Sequence, residues 1–433
     1  MATTVNGNIP LPPAITSNTI RVRDLDVHFL QALPPPNPSI PQPPLVILLH
    51  GFPELAYSWR KVMVPLSEAG YNVVALDQRG YGRTVMLGSS GAPSGPINFS
   101  NDLAPFRMFN LVTDIVSFVS VISYQSVAAV VGHDFGSMVA GYCALIRPDL
   151  FRSLVVMSAP FPGAPPFRSS LSTASLFTKQ LAELNPSRKH YTMYFSTSGK
   201  PPPENRALIF LSCDYFYAKS ADWPKNNPHP LPSASASNLA TVPHYYIMLL
   251  EHTMPMAVMG AASEGTRPLQ EWLPDEDLSF YVSEYSRTGF QGGLNWYRCM
   301  TDAKWTADMQ AFTGKRVTVP AMFLSGDKDW GVYQSPGSLE RMKDYVCENM
   351  DKEDVVLLPD TGHWAQQEQS EAVVNHLLRF LAKVSLHYIF TTLCVTDLSS
   401  PFTGQNDYKS DITNLYTVYR YSSIYCNIEY SKF

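Results

Sequence analysis

The sequence has few cysteines, little charge of either sign and no long uninterrupted apolar stretch. Its 433 residues include six cysteines without the spacing of metal ligands or of a disulfide framework, which predicts reduced thiols in a reducing compartment. The formal net charge of -5 gives no basic footprint for nucleic acid. No apolar run reaches the roughly 18 residues of a membrane span, and the N-terminus lacks a signal-peptide pattern. We therefore expect a cytoplasmic protein with no nucleic-acid partner and no membrane span.

The rest of the composition favours one large globular unit with an insertion. Apolar residues make up 45% of the chain, which is enough for a packed core, and 36 prolines gather near the N-terminus and in the middle. The last three residues, Ser431, Lys432 and Phe433, offer a peroxisomal address as a weak alternative location. Their last residue is wrong for that signal, so a chance tripeptide is the simpler interpretation.

A strand, a tight turn and a helix are predicted around residues 126–146. Residues 126–131 are an apolar run, the turn reads GHDFG at residues 132–136, and residues 138–146 have helical character. This pattern is typical of the nucleophile elbow of the α/β-hydrolase fold, in which small neighbours surround a strained nucleophile. The alternative is an ordinary tight turn in which Asp134 only caps the helix.

Asp134 stands where this elbow usually carries serine. A serine that attacked a saturated carbon would leave an ether, which water does not readily cleave. An aspartate leaves an ester, which water opens at the carboxyl carbon. Asp134 therefore indicates displacement at a saturated carbon, with an epoxide oxygen or a halide as the leaving group.

Several further runs predict the mostly parallel central sheet of an α/β protein flanked by helices. Residues 19–23 and 26–30 alternate as in an antiparallel hairpin, whereas the other predicted strands are continuously apolar, as in a sheet covered on both faces. These other strands are residues 45–49, 72–76, 153–157, 317–324 and 355–358. Helices are expected at residues 110–124 and 371–384.

The strand–helix alternation stops between about residues 161 and 315. This segment is rich in proline, serine and aromatic residues, and residues 245–258 and 275–287 have helical character, so we expect a helical cap over the site. After residue 385 the sequence becomes rich in tyrosine, serine and threonine, which predicts a poorly ordered tail. The expected division is core 1–163, cap 164–316, core 317–384 and tail 385–433.

The residues after three strands predict the remaining catalytic groups. Phe52 lies in the turn after strand 45–49, so its backbone N–H and that of Phe135 are expected to form an oxyanion hole. His363 follows strand 355–358, and Asp329 follows strand 317–324, which gives the order nucleophile, acid, histidine found in this fold. Asp327 is the rival acid, and each residue also has an ordinary loop or capping role as its alternative.

Four motifs together resemble those of the soluble epoxide hydrolases of the α/β-hydrolase superfamily. They are HGFPE at residues 50–54, GHDFG at 132–136, DTGHW at 360–364 and the cap sequence GFQGGLNWYR at 289–298. The likeness covers the chain from about residue 18 to residue 384. The proline- and serine-rich stretch 201–237 departs from the family pattern and is expected to alter the cap entrance.

The resemblance implies that two cap tyrosines hold the epoxide oxygen. Tyr297 matches the cap motif, and Tyr191 is the second candidate, with Tyr194 as a near neighbour. The family often has tryptophan where Phe135 stands, so the pocket wall is expected to be smaller here. The implied substrate-binding residues are Phe52, Pro53, Phe135 and Trp364. No metal ion or organic cofactor is implied.

The expected reaction joins a small apolar epoxide and water to give a vicinal diol through an ester on Asp134. A dehalogenase of the same fold is the nearest alternative, because it shares the nucleophile and the histidine but binds halide through Trp or Asn N–H groups. Trp296 could supply such an N–H group, so the dehalogenase alternative stays open. The second alternative is a catalytically silent member that only binds a small apolar ligand.

Overall fold

A mixed, mostly parallel sheet lies at the centre of the chain. The structure is a computed structural model that describes residues 3–4, 9–167, 173–197, 214–262 and 271–397. Its strand order is β1-β2-β3-β5-β4-β7-β8-β11-β12, with β13 also on β11 and β6 on β3, and β9 and β10 form a separate pair. The strands are β1 Thr3–Thr4, β2 Ile15–Val22, β3 Leu25–Ala32, β4 Leu45–Leu49, β5 Asn72–Leu76, β6 Val85–Met86, β7 Ala129–His133, β8 Leu154–Met157, β9 Arg188–His190, β10 Ile247–Leu249, β11 Val317–Gly326, β12 Cys347–Asn349 and β13 Val355–Leu358.

The parallel strands bear out the sheet predicted from apolar runs. Every residue of β4, β5, β7 and β8 is buried, which explains why these strands read as unbroken apolar sequence. Strands β4, β7, β8 and β11 pair in parallel, so their carboxyl ends meet at one edge of the sheet. The antiparallel hairpin β2–β3 is confirmed, and β3 joins it to β5.

The helices cover the sheet and build the segment between β8 and β11. The α-helices are Arg60–Glu68, Met108–Val121, Phe135–Ile146, Thr173–Ala182, Tyr191–Phe195, Asp214–Ala218, Ala236–Leu239, Met254–Ala262, Asp275–Thr288, Gln291–Thr301, Ala303–Thr306, Trp330–Tyr333, Ser338–Arg341, Ala365–Glu368 and Ser370–Asp397. Short 3-10 turns span Ala56–Trp59, Ala104–Phe106, Ala307–Phe312 and Lys352–Asp354, and a π-turn spans Met342–Val346.

The prediction of one helix in the inserted segment is wrong for the first half of its range. Residues 245–258 were expected to be helical, but Ile247–Leu249 is a strand that pairs antiparallel with Arg188–His190. The helix begins only at Met254, with proline at its second position, where no backbone N–H is needed. The pairing partner lies almost 60 residues earlier in the chain, so local periodicity carries no sign of it.

The last helix extends beyond its expected end. It runs over Ser370–Asp397, so the change of composition at residue 385 does not end it there. Residues 398–433, including Ser431, Lys432 and Phe433, lie outside the described residues. Met1–His376 and Leu377–Phe433 form two compact units, and every expected site residue lies in the first. Among the described residues, no helix combines the length and the apolar character that a membrane crossing requires.

Candidate active site

Asp134 lies on a strained turn between β7 and the helix Phe135–Ile146. Its backbone has φ 52° and ψ −119°, a left-handed conformation that non-glycine residues rarely adopt. Its side chain makes no capping hydrogen bond to the helix, so the simple capping role is not what the geometry provides. The helix N-terminus still favours the negative charge of the carboxylate.

Small residues around the turn are required by close backbone contacts. A Cβ atom on Gly132 would lie 2.1 Å from the carbonyl oxygen of Gly136, and one on Gly136 would lie 2.2 Å from that of Leu49. Ser137 fits because its hydroxyl donates to the carbonyls of Gly132 and Met157, both at 2.7 Å. The turn can therefore hold Asp134 rigidly at the carboxyl edge of the sheet.

The carboxylate of Asp134 lies between a backbone donor and a histidine. The N–H of Phe52 donates to its Oδ1 at 3.1 Å, and Nε2 of His363 is 3.6 Å from its Oδ2. Phe135 begins the helix, so its N–H has no partner within the helix. Unlike the Phe52 N–H, the Phe135 N–H makes no hydrogen bond to the carboxylate.

His363 is oriented by Asp329 rather than by Asp327. Its Nδ1 lies 3.0 Å from Oδ1 of Asp329, which also accepts the N–H of Gly331 at 2.7 Å. Burial opposes ionisation of Asp329. The charge of His363 and the hydrogen bond with its ring outweigh burial and hold the pKa of Asp329 well below its usual range. Oδ1 of Asp327 has no hydrogen-bond partner among the described residues. Burial lowers the pKa of His363, which favours the neutral imidazole that a general base needs.

Ser158 is a neighbour of the histidine that the sequence reasoning missed. Its hydroxyl lies 3.0 Å from Nδ1 of His363, and its φ of 76° directs it from the end of β8 into the site. Its position directly after a buried parallel strand was the available signal, since such ends carry functional groups in open α/β sheets. Serine is too common at such positions to be singled out without the fold.

A buried ion pair beneath the site was also missed. Glu54 and His133 are both 0% exposed in their side chains and are 2.5 Å apart through Oε2 and Nδ1. Nε2 of His133 lies 2.7 Å from the carbonyl oxygen of His363, so both ring nitrogens face acceptors and the imidazolium is the matching form. Burial opposes the charges, but the pair raises the pKa of His133 to about 9 and lowers that of Glu54 to about 2.

The two expected cap tyrosines come together above Asp134. The rings of Tyr191 and Tyr297 are 5.9 Å apart, and Tyr297 contacts the ring of Phe135 at 4.8 Å. Burial raises the pKa of both phenols, and the charge of Asp134 raises it further. Burial also raises the pKa of Tyr194, but the Asp134 charge makes no contribution there. Of Tyr191 and Tyr194, Tyr191 is therefore the one whose pKa is raised by the charge of the nucleophile.

The four expected substrate-binding residues are all buried beside the catalytic groups. Phe52 and Phe135 contact Tyr297, and Pro53 is buried in the same turn as Phe52. Trp364 is 0% exposed and its indole N–H donates to the carbonyl of Phe216 at 2.9 Å. Trp364 packs edge-on against the ring of His363 at 4.5 Å, and its contact with substrate stays a prediction.

Among the described residues, two groups are candidates for halide or metal binding: the indole of Trp296 and a cluster of carboxylates. The indole N–H of Trp296 donates to the carbonyl of Arg79 at 3.0 Å, so it is already engaged. Within the described ranges, the carboxylates close enough to share a metal ion are Asp351, Glu353 and Asp354, which include none of the site residues. The site can thus offer a carboxylate nucleophile, a histidine base and two phenol donors.

Comparisons with known proteins show which family this chain resembles. Residues 44–188 match a family model described as alpha/beta hydrolase fold. Epoxide hydrolase 3 of Siraitia grosvenorii is 30% identical over 354 residues, covering 80% of this chain and 94% of that protein. Epoxide hydrolase A of Mycobacterium tuberculosis is 32% identical over 351 residues, covering 80% and 92%. The structure of potato (Solanum tuberosum) epoxide hydrolase I matches with TM-score 0.64 and 26% identity, covering 85% and 99%.

Proposed function

Because the chain belongs to the epoxide hydrolases of the α/β-hydrolase fold, we propose that it opens an apolar epoxide to a vicinal diol through an ester on Asp134. The observation that carries the proposal is the position of Asp134 on the strained elbow, between the Phe52 N–H and Nε2 of His363. The ring of Tyr297 packs against the rings of Phe52, whose N–H holds the carboxylate, and of Phe135, the residue after the nucleophile. This aromatic cluster suits an apolar substrate.

In the first step Asp134 attacks a ring carbon of the epoxide. Phe52 holds Oδ1, so Oδ2 forms the new C–O bond while the ring C–O bond breaks. The departing oxygen takes a proton from Tyr191 or Tyr297, and the phenolate regains one from solvent. Two phenols that strengthen their hydrogen bonds as charge develops favour the transition state over the bound epoxide.

In the second step water cleaves the ester. His363 takes a proton from water through Nε2, while Asp329 holds the imidazole through Nδ1. The hydroxide adds to the carboxyl carbon of Asp134, and the backbone N–H groups of Phe52 and Phe135 stabilise the oxyanion. The ester C–O bond then breaks, and the diol oxygen takes the proton back from the imidazolium. One oxygen from water stays in Asp134, whose carboxyl group then releases its proton to solvent and returns to the carboxylate.

Trapping of the ester tests this proposal. Wild-type enzyme incubated with styrene oxide should release phenylethane diol. His363→Gln should still form the ester but hydrolyse it roughly 10²–10⁴-fold more slowly, so intact-protein mass spectrometry should find one added substrate mass. Asp134→Asn should gain no mass and form no diol.

Two other results would point to the alternative functions. Halide release from a haloalkane, with no diol from any epoxide, would favour a dehalogenase. Binding of epoxide without diol formation, even with enzyme in excess, would favour a silent ligand-binding protein.

A further inference from the structure

Lys219 places a buried ammonium group next to the catalytic residues. The residue is 3% exposed and follows the helix Asp214–Ala218. Its Nζ lies over three aromatic rings, at 4.9 Å from Tyr215, 4.8 Å from Tyr246 and 5.7 Å from Trp364. Among the described residues no carboxylate or carbonyl oxygen accepts a hydrogen bond from Nζ, so these ring faces are its contacts.

The stability of the fold alone does not explain a buried ammonium group at this position. Burying a cation costs free energy, and cation–π contacts return only part of it when no counter-ion is hydrogen bonded. An unbranched apolar side chain of similar length, such as methionine, would fill the same space without that cost. Burial lowers the pKa of Lys219, whereas the charges of Asp134, Asp329 and Glu54 favour the ammonium form. A lysine kept charged here by these carboxylates therefore calls for a chemical reason.

The backbone of Lys219 is fixed against the loop that carries the histidine. The N–H of His363 donates to the carbonyl of Lys219 at 2.9 Å. Glu368 ties the two segments together, because its carboxylate accepts the N–H groups of Ala221 at 3.0 Å and Gly362 at 2.8 Å. A Cβ on Gly362 would lie 2.4 Å from the Ala221 nitrogen, so the two backbones are in close contact.

The charges around His363 explain what the ammonium can do. Asp329 faces Nδ1 and Asp134 faces Nε2. The Glu54–His133 pair lies beneath the ring, with the tilted His133 ring centred 4.9 Å away. The carboxylates favour a protonated imidazole, and Lys219 opposes them. Burial is the largest cause that lowers the pKa of His363, and the charge of Lys219 is the next.

We propose that Lys219 is a positioning residue for ester hydrolysis, whose ammonium keeps His363 in the neutral form that accepts a proton from water. The inference rests on the proposed function, since it assigns Lys219 to the second half-reaction. When Asp134 is esterified it loses its negative charge, so His363 then faces Lys219 and one fewer carboxylate. The base is therefore most strongly biased toward neutrality in the state in which it must act.

Lys219→Met tests this assignment, with Lys219→Arg as the control that keeps the charge. Ester hydrolysis is followed by rapid quench after a single loading with styrene oxide, between pH 5.5 and pH 8. The methionine variant should hydrolyse the ester roughly three- to tenfold more slowly than wild type at pH 5.5 and at a similar rate at pH 8, because loss of a nearby charge lets His363 protonate. The arginine variant should restore the wild-type profile.

Thermal unfolding separates this role from a structural one. We expect Lys219→Met to unfold at the same temperature as wild type or higher, since it removes a buried cation. An unshifted pH profile, a uniform loss of rate at all pH values, or failure of Lys219→Met to fold would each overturn the inference. If wild type itself forms neither ester nor diol, the proposed function fails instead.

Discussion

At the scale of single residues, the proposed mechanism divides its two proton transfers between different kinds of acid and base. Burial raises the pKa of the Tyr191 and Tyr297 phenols, which favours the protonated form that donation to the leaving oxygen would need. Burial lowers the pKa of His363, which favours the neutral form that accepting a proton from water would need. Each group is thus kept in the protonation state that its own step requires.

The choice between Tyr191 and Tyr194 leads to a direct prediction. Tyr191→Phe should slow ester formation by about 10²-fold, because one of two donors to the developing charge is lost. Tyr194→Phe is the matched control and should change that rate less than about twofold, since burial and a backbone hydrogen bond at Met254 account for the shifted pKa of Tyr194. Rapid-quench measurement of the ester under single turnover distinguishes the two. A large effect of Tyr194→Phe with none of Tyr191→Phe would reverse the assignment.

Site residues that follow strands in the order typical of the fold could be predicted from the sequence. Site residues that are brought in by contacts between distant parts of the chain could not. Asp134, Asp329 and His363 follow strands in the order of the fold, and the structure brings them together. Glu54 lies in a motif that was noticed, but its partner is 79 residues away and both are buried polar groups. Lys219 contacts the histidine loop from the segment between β8 and β11, so no local sequence pattern predicts its role.

At the scale of elements, the elbow depends on two backbones that nearly touch. Gly132→Ala should destabilise the protein by about 1–3 kcal/mol, because its new methyl would lie 2.1 Å from the Gly136 carbonyl oxygen. Gly88→Ala is the control, since its nearest neighbour is 3.8 Å away and its φ is not positive. Denaturant unfolding measures both, and equal stability of the two variants would contradict this account of the turn.

The strand pair β9–β10 shows that the spacing of apolar residues along the sequence does not reveal every strand. Ile247–Leu249 pairs with Arg188–His190, and the N–H of Tyr191 donates to the carbonyl of Tyr246 at 2.9 Å. This short ladder fixes the start of the helix that carries Tyr191. The continuous apolar strands of the core were predictable because both sheet faces are covered, whereas a two-stranded ladder in an insertion has no such signature.

At the scale of the whole molecule, the Glu54–His133 pair links stability to pH. The folded protein raises the pKa of His133 from 6.5 to about 9, so its contribution is complete below pH 6.5 and is lost as the pH rises through 9. The pKa of Glu54 is lowered from 4.5 to about 2, so its contribution is complete above pH 4.5 and is lost toward pH 2. The pair therefore stabilises the fold most between pH 4.5 and 6.5.

Thermal unfolding at pH 6 and pH 9 tests this linkage. Wild type should lose on the order of 3 kcal/mol from His133 across that interval. The double variant Glu54→Gln, His133→Gln should have a smaller pH dependence over the same range, even if it is less stable at both values. A pH dependence equal to that of wild type would show that other groups carry it.

The central claim is that Asp134 forms an ester with the substrate, and oxygen labelling in one turnover tests it most directly. Enzyme in excess would convert styrene oxide in 18O water, and mass spectrometry would follow the diol and the peptide that contains Asp134. The mechanism predicts an unlabelled first-turnover diol and label in the Asp134 carboxylate, because water adds to the carboxyl carbon. Labelled diol with an unlabelled Asp134 would mean direct attack by water and would contradict the nucleophile assignment.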